Sequence, residues 1–182
     1  MTLRDKALHN RNAPIDMTPD VFREAGHRLV DDIAEFMAST PKRPVNYDES
    51  PSQIRALLPE GPIPNKGTAP DELMREVAPL LFDHSLLNGH PRFLAYITSS
   101  PAPIGVLADM LSASVNPNVG GWQLSPMASE IEKQCVTWIA ELIGFPKDAG
   151  GLFVSGGNMA NFAGFLAARQ AKAVGDVRTG GL

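Results

Sequence analysis

The stretch that most limits what this chain can fold into is Gly150-Gly151-Leu152-Phe153-Val154-Ser155-Gly156-Gly157-Asn158-Met159-Ala160-Asn161. Leu152, Phe153 and Val154 read as a short buried strand, bounded by glycine on both sides. From Met159 the apolar residues change to helical spacing, with Phe162, Phe165 and Leu166 on one face and small alanines between them. The fold must therefore accommodate a strand that turns through glycine directly into a helix. At that turn Ser155, Gly156, Gly157 and Asn158 offer small side chains and bare backbone N–H groups. Unpaired N–H groups and the helix dipole both favour negative charge, so the turn is suited to an anion. Glycine permits close approach of the backbone, and the Asn158 amide can add a donor.

Several better-known anion loops are excluded. No lysine follows the glycines, as a nucleotide-binding P-loop requires, and the dinucleotide pattern G-x-G-x-x-G is absent. A nucleophile elbow would need glycine where Phe153 stands. A phosphate held mainly by backbone and small polar groups remains. Taken alone, the same turn also reads as a helix cap with tight strand–helix packing, and the residues by themselves leave both readings open.

The 182 residues, 43% hydrophobic and 20% charged, suffice for one domain with a core. The net charge of −4, with no basic tract, argues against a nucleic-acid partner. The single Cys135 excludes an internal disulfide and suits a reducing cytoplasm. Residues 1–16 are polar and lack the apolar core of a signal peptide. No apolar run is long enough for a membrane span, and no repeat is visible.

Residues 1–17 read as a lead-in. Thr18-Pro19-Asp20 starts a helix that carries Phe22, Leu29, Ile33 and Phe36 and ends near Ser39. Residues 41–70 hold seven prolines and read as an extended wrapping segment with one short helix near Ser52–Leu58. A second long helical pattern runs from Asp71 to about Leu87, with Leu73, Val77, Leu80 and Leu81 on one face and Pro79 expected to kink or break it. Asn88-Gly89-His90-Pro91 is a strong turn, in which His90 reads as a capping residue rather than an acid–base group. Arg92–Thr98 reads as a short extended segment, and a helix over Ile104–Val115 is expected to bury Ile104, Leu107, Ala108 and Leu111. Ser125-Pro126 caps the clearest helix, whose apolar stripe is Ile131, Cys135, Trp138, Ile139 and Leu142, with Glu130, Glu132, Lys133 and Glu141 facing away. Each large apolar residue there would stabilise by about 1.5–3 kcal/mol if fully buried. Cys135 reads as a packing residue, since it lies on the helix's apolar stripe and not at a helix N-terminus. The four histidines show no metal-ligand spacing, so no metal site is expected.

His90-Pro91-Arg92-Phe93, Tyr96, Leu107-Ala108-Asp109-Met110-Leu111, Trp122, Ser125-Pro126, Glu130-Ile131-Glu132 and Ser155-Gly156-Gly157-Asn158 form an ordered set. In that order and spacing the chain resembles the N-terminal part of a group II pyridoxal-phosphate-dependent amino-acid decarboxylase, of the aromatic-L-amino-acid decarboxylase kind. The likeness is strong over residues 90–170 and looser over 18–89. It implies an α/β fold: the beginning of a fold type I PLP-dependent transferase-like large domain over residues 89–182, preceded by an N-terminal helical arm over residues 1–88. That arm would wrap around the partner of a homodimer. The implied function is PLP-dependent decarboxylation of an aromatic L-amino acid to the amine and CO2. The cofactor, pyridoxal 5'-phosphate, would have its phosphate held by Gly156, Gly157 and Asn158. The implied substrate pocket includes Tyr96, Ile97, Thr98 and Ser99, with Trp122 on a loop near the dimer interface. Gly120-Gly121 leave room where aromatic-specific relatives carry bulk.

The resemblance also says what is missing. The family's Schiff-base lysine, ring-stacking histidine and pyridine-pairing aspartate lie well beyond the phosphate loop. None of Lys6, Lys42, Lys66, Lys133, Lys147 or Lys172 matches that lysine. The chain therefore reads as a fragment, inactive by itself and without catalytic residues of its own. Two alternatives stand beside this reading: another reaction on the same fold, such as an aldehyde synthase or an aminotransferase-like activity, or a non-catalytic helical interaction module whose Ser-Gly-Gly-Asn turn is only a cap.

Overall fold

The structure, a computed structural model, describes residues 16–146, 148–173, 175–177, 179 and 180. Its contacts divide the chain into two compact units, Met1–Pro103 and Ile104–Leu182.

In the first unit, helix α1 spans Pro19–Ser39. Its start follows the sequence signals: Thr18 is the cap, its Oγ1 accepting from the Val21 N–H at 3.3 Å, and proline occupies the first turn. A 3-10 turn, Thr40–Lys42, ends it. The short helix α2, Pro51–Arg55, is opened by a capping box in which Ser50 and Gln53 satisfy each other's backbone N–H groups. Helix α3 spans Pro70–Asp83 and packs against α1. Phe36 of α1 stacks on Phe82 of α3 with ring centroids 4.5 Å apart. Arg43 locks this contact: its guanidinium lies 5.2 Å from the Phe36 ring centroid, pairs with Asp83 at 2.5 Å and donates to the Phe82 carbonyl at 3.3 Å. The hydrogen bond to Asp83 raises the Arg43 pKa, against the opposing effect of burial.

Helix α3 stops four residues short of the expected Leu87. His84 closes it, donating its N–H to the Leu80 carbonyl while its ring pairs with Glu49 at 2.8 Å. The chain must leave the helix here because the Leu87 N–H donates to the Val45 carbonyl at 3.0 Å. Pro79 does not break the helix, which continues through it. Of the expected stripe, Leu80 is half-buried while Leu73, Val77 and Leu81 stay exposed; Phe82, outside that stripe, is half-buried too.

The second unit contains α4 (Pro103–Val115), a 3-10 turn at Trp122–Leu124, α5 (Pro126–Leu142) and α6 (Gly157–Lys172). Three expectations are corrected here. First, Leu152–Val154 is not a strand, and no strand occurs among the described residues. A strand exists only by pairing with a neighbour, and the described residues provide no second run for the ladder. The α/β layer that the resemblance implies is therefore not among the described elements. Second, the α5 stripe is not buried: Trp138 is 54% and Leu142 83% exposed, and Ala140 is the helix's one buried residue. Third, Ile104, Leu107 and Leu111 of α4 are likewise exposed. The burial energy those side chains could contribute is not realised within this chain. Cys135 is half-buried and free. Among the described residues, no helix is long and apolar enough to cross a membrane, and no cluster of His, Cys, Asp and Glu could hold a metal ion.

Candidate functional site

Gly156 has φ +152°, a conformation that side-chain-bearing residues rarely adopt. It turns the chain so that α6 starts at Gly157, and the first intrahelical bond runs from the Ala160 N–H to the Gly156 carbonyl at 3.0 Å. The N–H groups of Gly157, Asn158 and Met159 therefore precede the first intrahelical donor. No side chain caps them, and neither proline nor an acidic residue stands in the first turn. Elsewhere in the chain helix starts are provided for: Thr18 and Ser50 cap α1 and α2, proline opens α3, α4 and α5, and α3 carries Asp71 and Glu72 in its first turn.

A concavity of about 570 Å³ lies over this helix start, lined by Ser155, Gly156, Gly157, Asn158, Met159 and Asn161. A Cβ placed on Gly156 or Gly157 would meet nothing within 4 Å, so the space above both glycines is open. N–H groups without an intrahelical partner, the polar side chains of Ser155, Asn158 and Asn161 and the positive end of a helix dipole are a donor set suited to an anion. The donor set fits a phosphate monoester, which needs several hydrogen bonds and no metal. Gly156, Gly157 and Asn158 are thus brought together as the sequence suggests. Ser155 and Asn161 join them.

The segment that feeds the cradle rests on α5. The Phe153 N–H donates to Glu132 Oε1 at 2.8 Å, and a Cβ on Gly151 would come within 2.6 Å of Val136 Cγ1. Trp122 is also tied to α5, donating its indole N–H to Glu130 Oε1 at 2.8 Å. From sequence, Glu130 and Glu132 read as solvent-facing positions. Nothing local reveals their partners, which lie 8 and 21 residues away. Asn118 closes its own loop, accepting the Gly120 N–H at 2.9 Å.

Tyr96, Thr98 and Ser99 belong to the first unit. They sit on a loop whose ends meet, since a Cβ on Gly89 would touch Pro101 at 3.4 Å. His90 anchors this loop. It is 3% exposed, its Nδ1 accepts the Arg92 N–H at 3.0 Å, and its carbonyl accepts the Phe93 N–H. The reading of His90 as a turn cap agrees with these bonds. Tyr96 is displayed at 81% exposure with φ +63°, a costly conformation for a bulky residue. Its ring lies 6.1 Å from that of Phe93.

Comparison with known proteins gives these features a context. Residues 51–179 match the model of the pyridoxal-dependent decarboxylase conserved domain. The chain is 33% identical over 163 residues to an aromatic-L-amino-acid decarboxylase of Bacillus atrophaeus, a match covering 90% of this chain and 34% of that protein. It is 32% identical to a phenylacetaldehyde synthase of Petunia hybrida and 30% identical to tyrosine decarboxylase 4 of Petroselinum crispum, in each case over 78% of this chain and 27% of the relative. The chain thus spans about a third or less of the length of these relatives. Among solved structures, a crystal structure of Oryza sativa TDC with PLP and tryptamine has the same fold over 75% of this chain and 28% of its own, with TM-score 0.65 and 24% identity. With the family model covering most of its length, this chain belongs to the pyridoxal-dependent decarboxylase family.

Proposed function

We propose that this chain forms the phosphate-anchoring part of an enzyme that decarboxylates an aromatic L-amino acid to the amine and CO2, with pyridoxal 5'-phosphate as cofactor. The observation that carries the proposal is the uncapped start of α6 beneath an open glycine cradle, in a chain of this family. The N–H groups of Gly157 and Asn158, with the Asn158 side chain, would hold the cofactor phosphate. When bound, pyridoxal phosphate supplies an electron sink for cleavage of the Cα–carboxylate bond. The family resemblance makes Tyr96, Thr98 and Ser99 of the first unit, and separately Trp122 of the second, the proposed substrate-binding residues. Tyr96 is supported there by its strained, exposed setting on an anchored loop, and Trp122 by its fixed indole.

The same reading takes residues 1–88 as an arm that wraps a second copy in a homodimer, and residues 89–182 as the start of the cofactor-binding large domain of fold type I. The apolar side chains left exposed on α4 and α5 support a covering partner. A cytoplasmic location suits the single cysteine. No lysine of the chain matches the family's cofactor lysine, so the 182 residues alone are expected to turn over no amino acid.

The test is a titration of the chain with pyridoxal 5'-phosphate and with pyridoxal, which lacks the phosphate. The phosphorylated form should bind at least about tenfold more tightly, a difference of about 1.4 kcal/mol, and inorganic phosphate should compete. Equal affinities would remove the phosphate anchor. A second reaction is favoured by one specific finding, the likeness to a phenylacetaldehyde synthase. Product analysis of the enzyme separates the two, since a synthase yields the aldehyde and a decarboxylase the amine.

A further inference from the structure

The glycine cradle is only as well placed as the segment that leads into it, and that segment has no strand partner among the described residues. Two contacts fix it instead. Gly151 lies so close to α5 that any side chain would strike Val136, and the Phe153 N–H donates to the Glu132 carboxylate at 2.8 Å. Glu132 and Val136 are four residues apart on α5 and so share one face, about 6 Å apart along the axis. Gly151 and Phe153 are two residues apart, which spans about 6.6 Å in near-extended backbone. The two spacings match, so the segment runs along α5 in the opposite direction, with Gly151 over Val136 and Phe153 over Glu132. Two residues after the Glu132 contact the chain reaches Ser155, the first residue of the cradle.

We propose that Glu132 is a positioning residue for the phosphate cradle: its carboxylate, on a fixed helix, sets the direction in which Ser155–Asn158 leaves α5. The inference rests on the phosphate reading above. The hydrogen bond is charge-assisted and satisfies a backbone donor that a ladder would otherwise take. Glu132 does not itself hold the ligand, and its charge is not what the role requires. An uncharged oxygen acceptor of the same length should serve.

The experiment uses the full 182-residue chain, with inorganic phosphate and pyridoxal 5'-phosphate as probes. Three proteins are titrated: the unsubstituted chain, Glu132→Ala and Glu132→Gln. Circular dichroism accompanies each titration, and amide hydrogen exchange is followed at Phe153. The expected result is that Glu132→Ala weakens binding of both probes by about three- to tenfold with helix content unchanged. Glu132→Gln should bind as the unsubstituted chain does, and the Phe153 amide should be protected in the unsubstituted chain and in Glu132→Gln. Equal binding by Glu132→Ala and the unsubstituted chain overturns the positioning role and leaves the phosphate reading intact. Loss of affinity in both variants overturns the hydrogen-bond account. An unprotected Phe153 amide in the unsubstituted chain does the same without any variant, and so decides the matter if Glu132→Ala fails to fold. Failure of the unsubstituted chain to bind either probe overturns the phosphate reading and this inference with it.

Discussion

Two adjacent glycines in the cradle do different work, and single methyl groups separate them. Gly156 sits at φ +152°, where a side chain strains the backbone whatever the free space. Gly157 is the first residue of α6 and has open space where its Cβ would be. Gly156→Ala should therefore destabilise the turn by about 1–3 kcal/mol. Gly157→Ala should leave the fold intact or slightly more stable, by up to about 1 kcal/mol, because alanine is the better helix former. If the space above Gly157 is where a phosphate sits, the same harmless methyl should weaken phosphate binding. Thermal melts and phosphate titrations of the two variants give both readings. Unchanged phosphate affinity in Gly157→Ala would mean that the ligand does not approach this backbone.

His90 shows the same economy at the other anchored loop. Its Nδ1 accepts the Arg92 N–H, while its buried Nε2 has no partner among the described residues. The residue's role is thus local and geometric, and a shorter side chain with an acceptor oxygen should fill it. His90→Asn should keep most of the stability, and His90→Ala should lose about 1 kcal/mol more than His90→Asn in a denaturant melt.

At the scale of elements, helix starts were the most legible part of the sequence. Thr18-Pro19 reads as a cap and is one, and the short helix expected to start near Ser52 starts at Pro51, although it ends at Arg55 rather than Leu58. Such signals are local, so one chain suffices to see them. The Leu152–Val154 run failed as a strand because a strand needs a partner that the described residues do not provide. The end of α3 failed for a related reason. His84 leaves the helix to meet Glu49, and Leu87 to meet Val45, both encoded more than thirty residues upstream. The glycine turn into α6 was legible from Ser155-Gly156-Gly157-Asn158 because its backbone groups are consecutive in sequence. Its support by Glu132 was not, since that contact crosses 21 residues.

The α1–α3 pairing offers a test at this scale. Arg43 reaches the Phe36 face, the Asp83 carboxylate and the Phe82 carbonyl at the end of α3 with one planar group. A lysine ammonium cannot serve all three. Arg43→Lys should lower stability of the first unit by about 1 kcal/mol, discounted for the half-exposed Asp83. A melt indistinguishable from that of the unsubstituted chain would show the arginine to be a surface ornament.

At the scale of the molecule, the apolar side chains of α4, α5 and α6 are more exposed than buried: Ile104, Leu111, Trp138, Leu142 and Phe165 are each more than half exposed. Surfaces of this kind are covered in working proteins. Sedimentation across a range of concentrations should show self-association, with binding of a hydrophobic dye at the dilute end. A dye-silent monomer at every concentration would argue that these helices need no cover.

The uncapped first turn of α6 has a last consequence, for the protein's lifetime. Thr18 and Ser50 cap their helices with their own side chains, whereas Gly156 has no side chain with which to do so. An anion seated there would complete the helix as a cap does, so filling the cradle is also an act of folding. At a ligand concentration a hundred times its Kd, such coupling adds about 2.7 kcal/mol of stability. In a cell poor in the ligand that added stability would be lost, and the chain would be the easier for proteases to degrade. Supply of a small molecule would then govern how long each copy survives, as well as how fast it works.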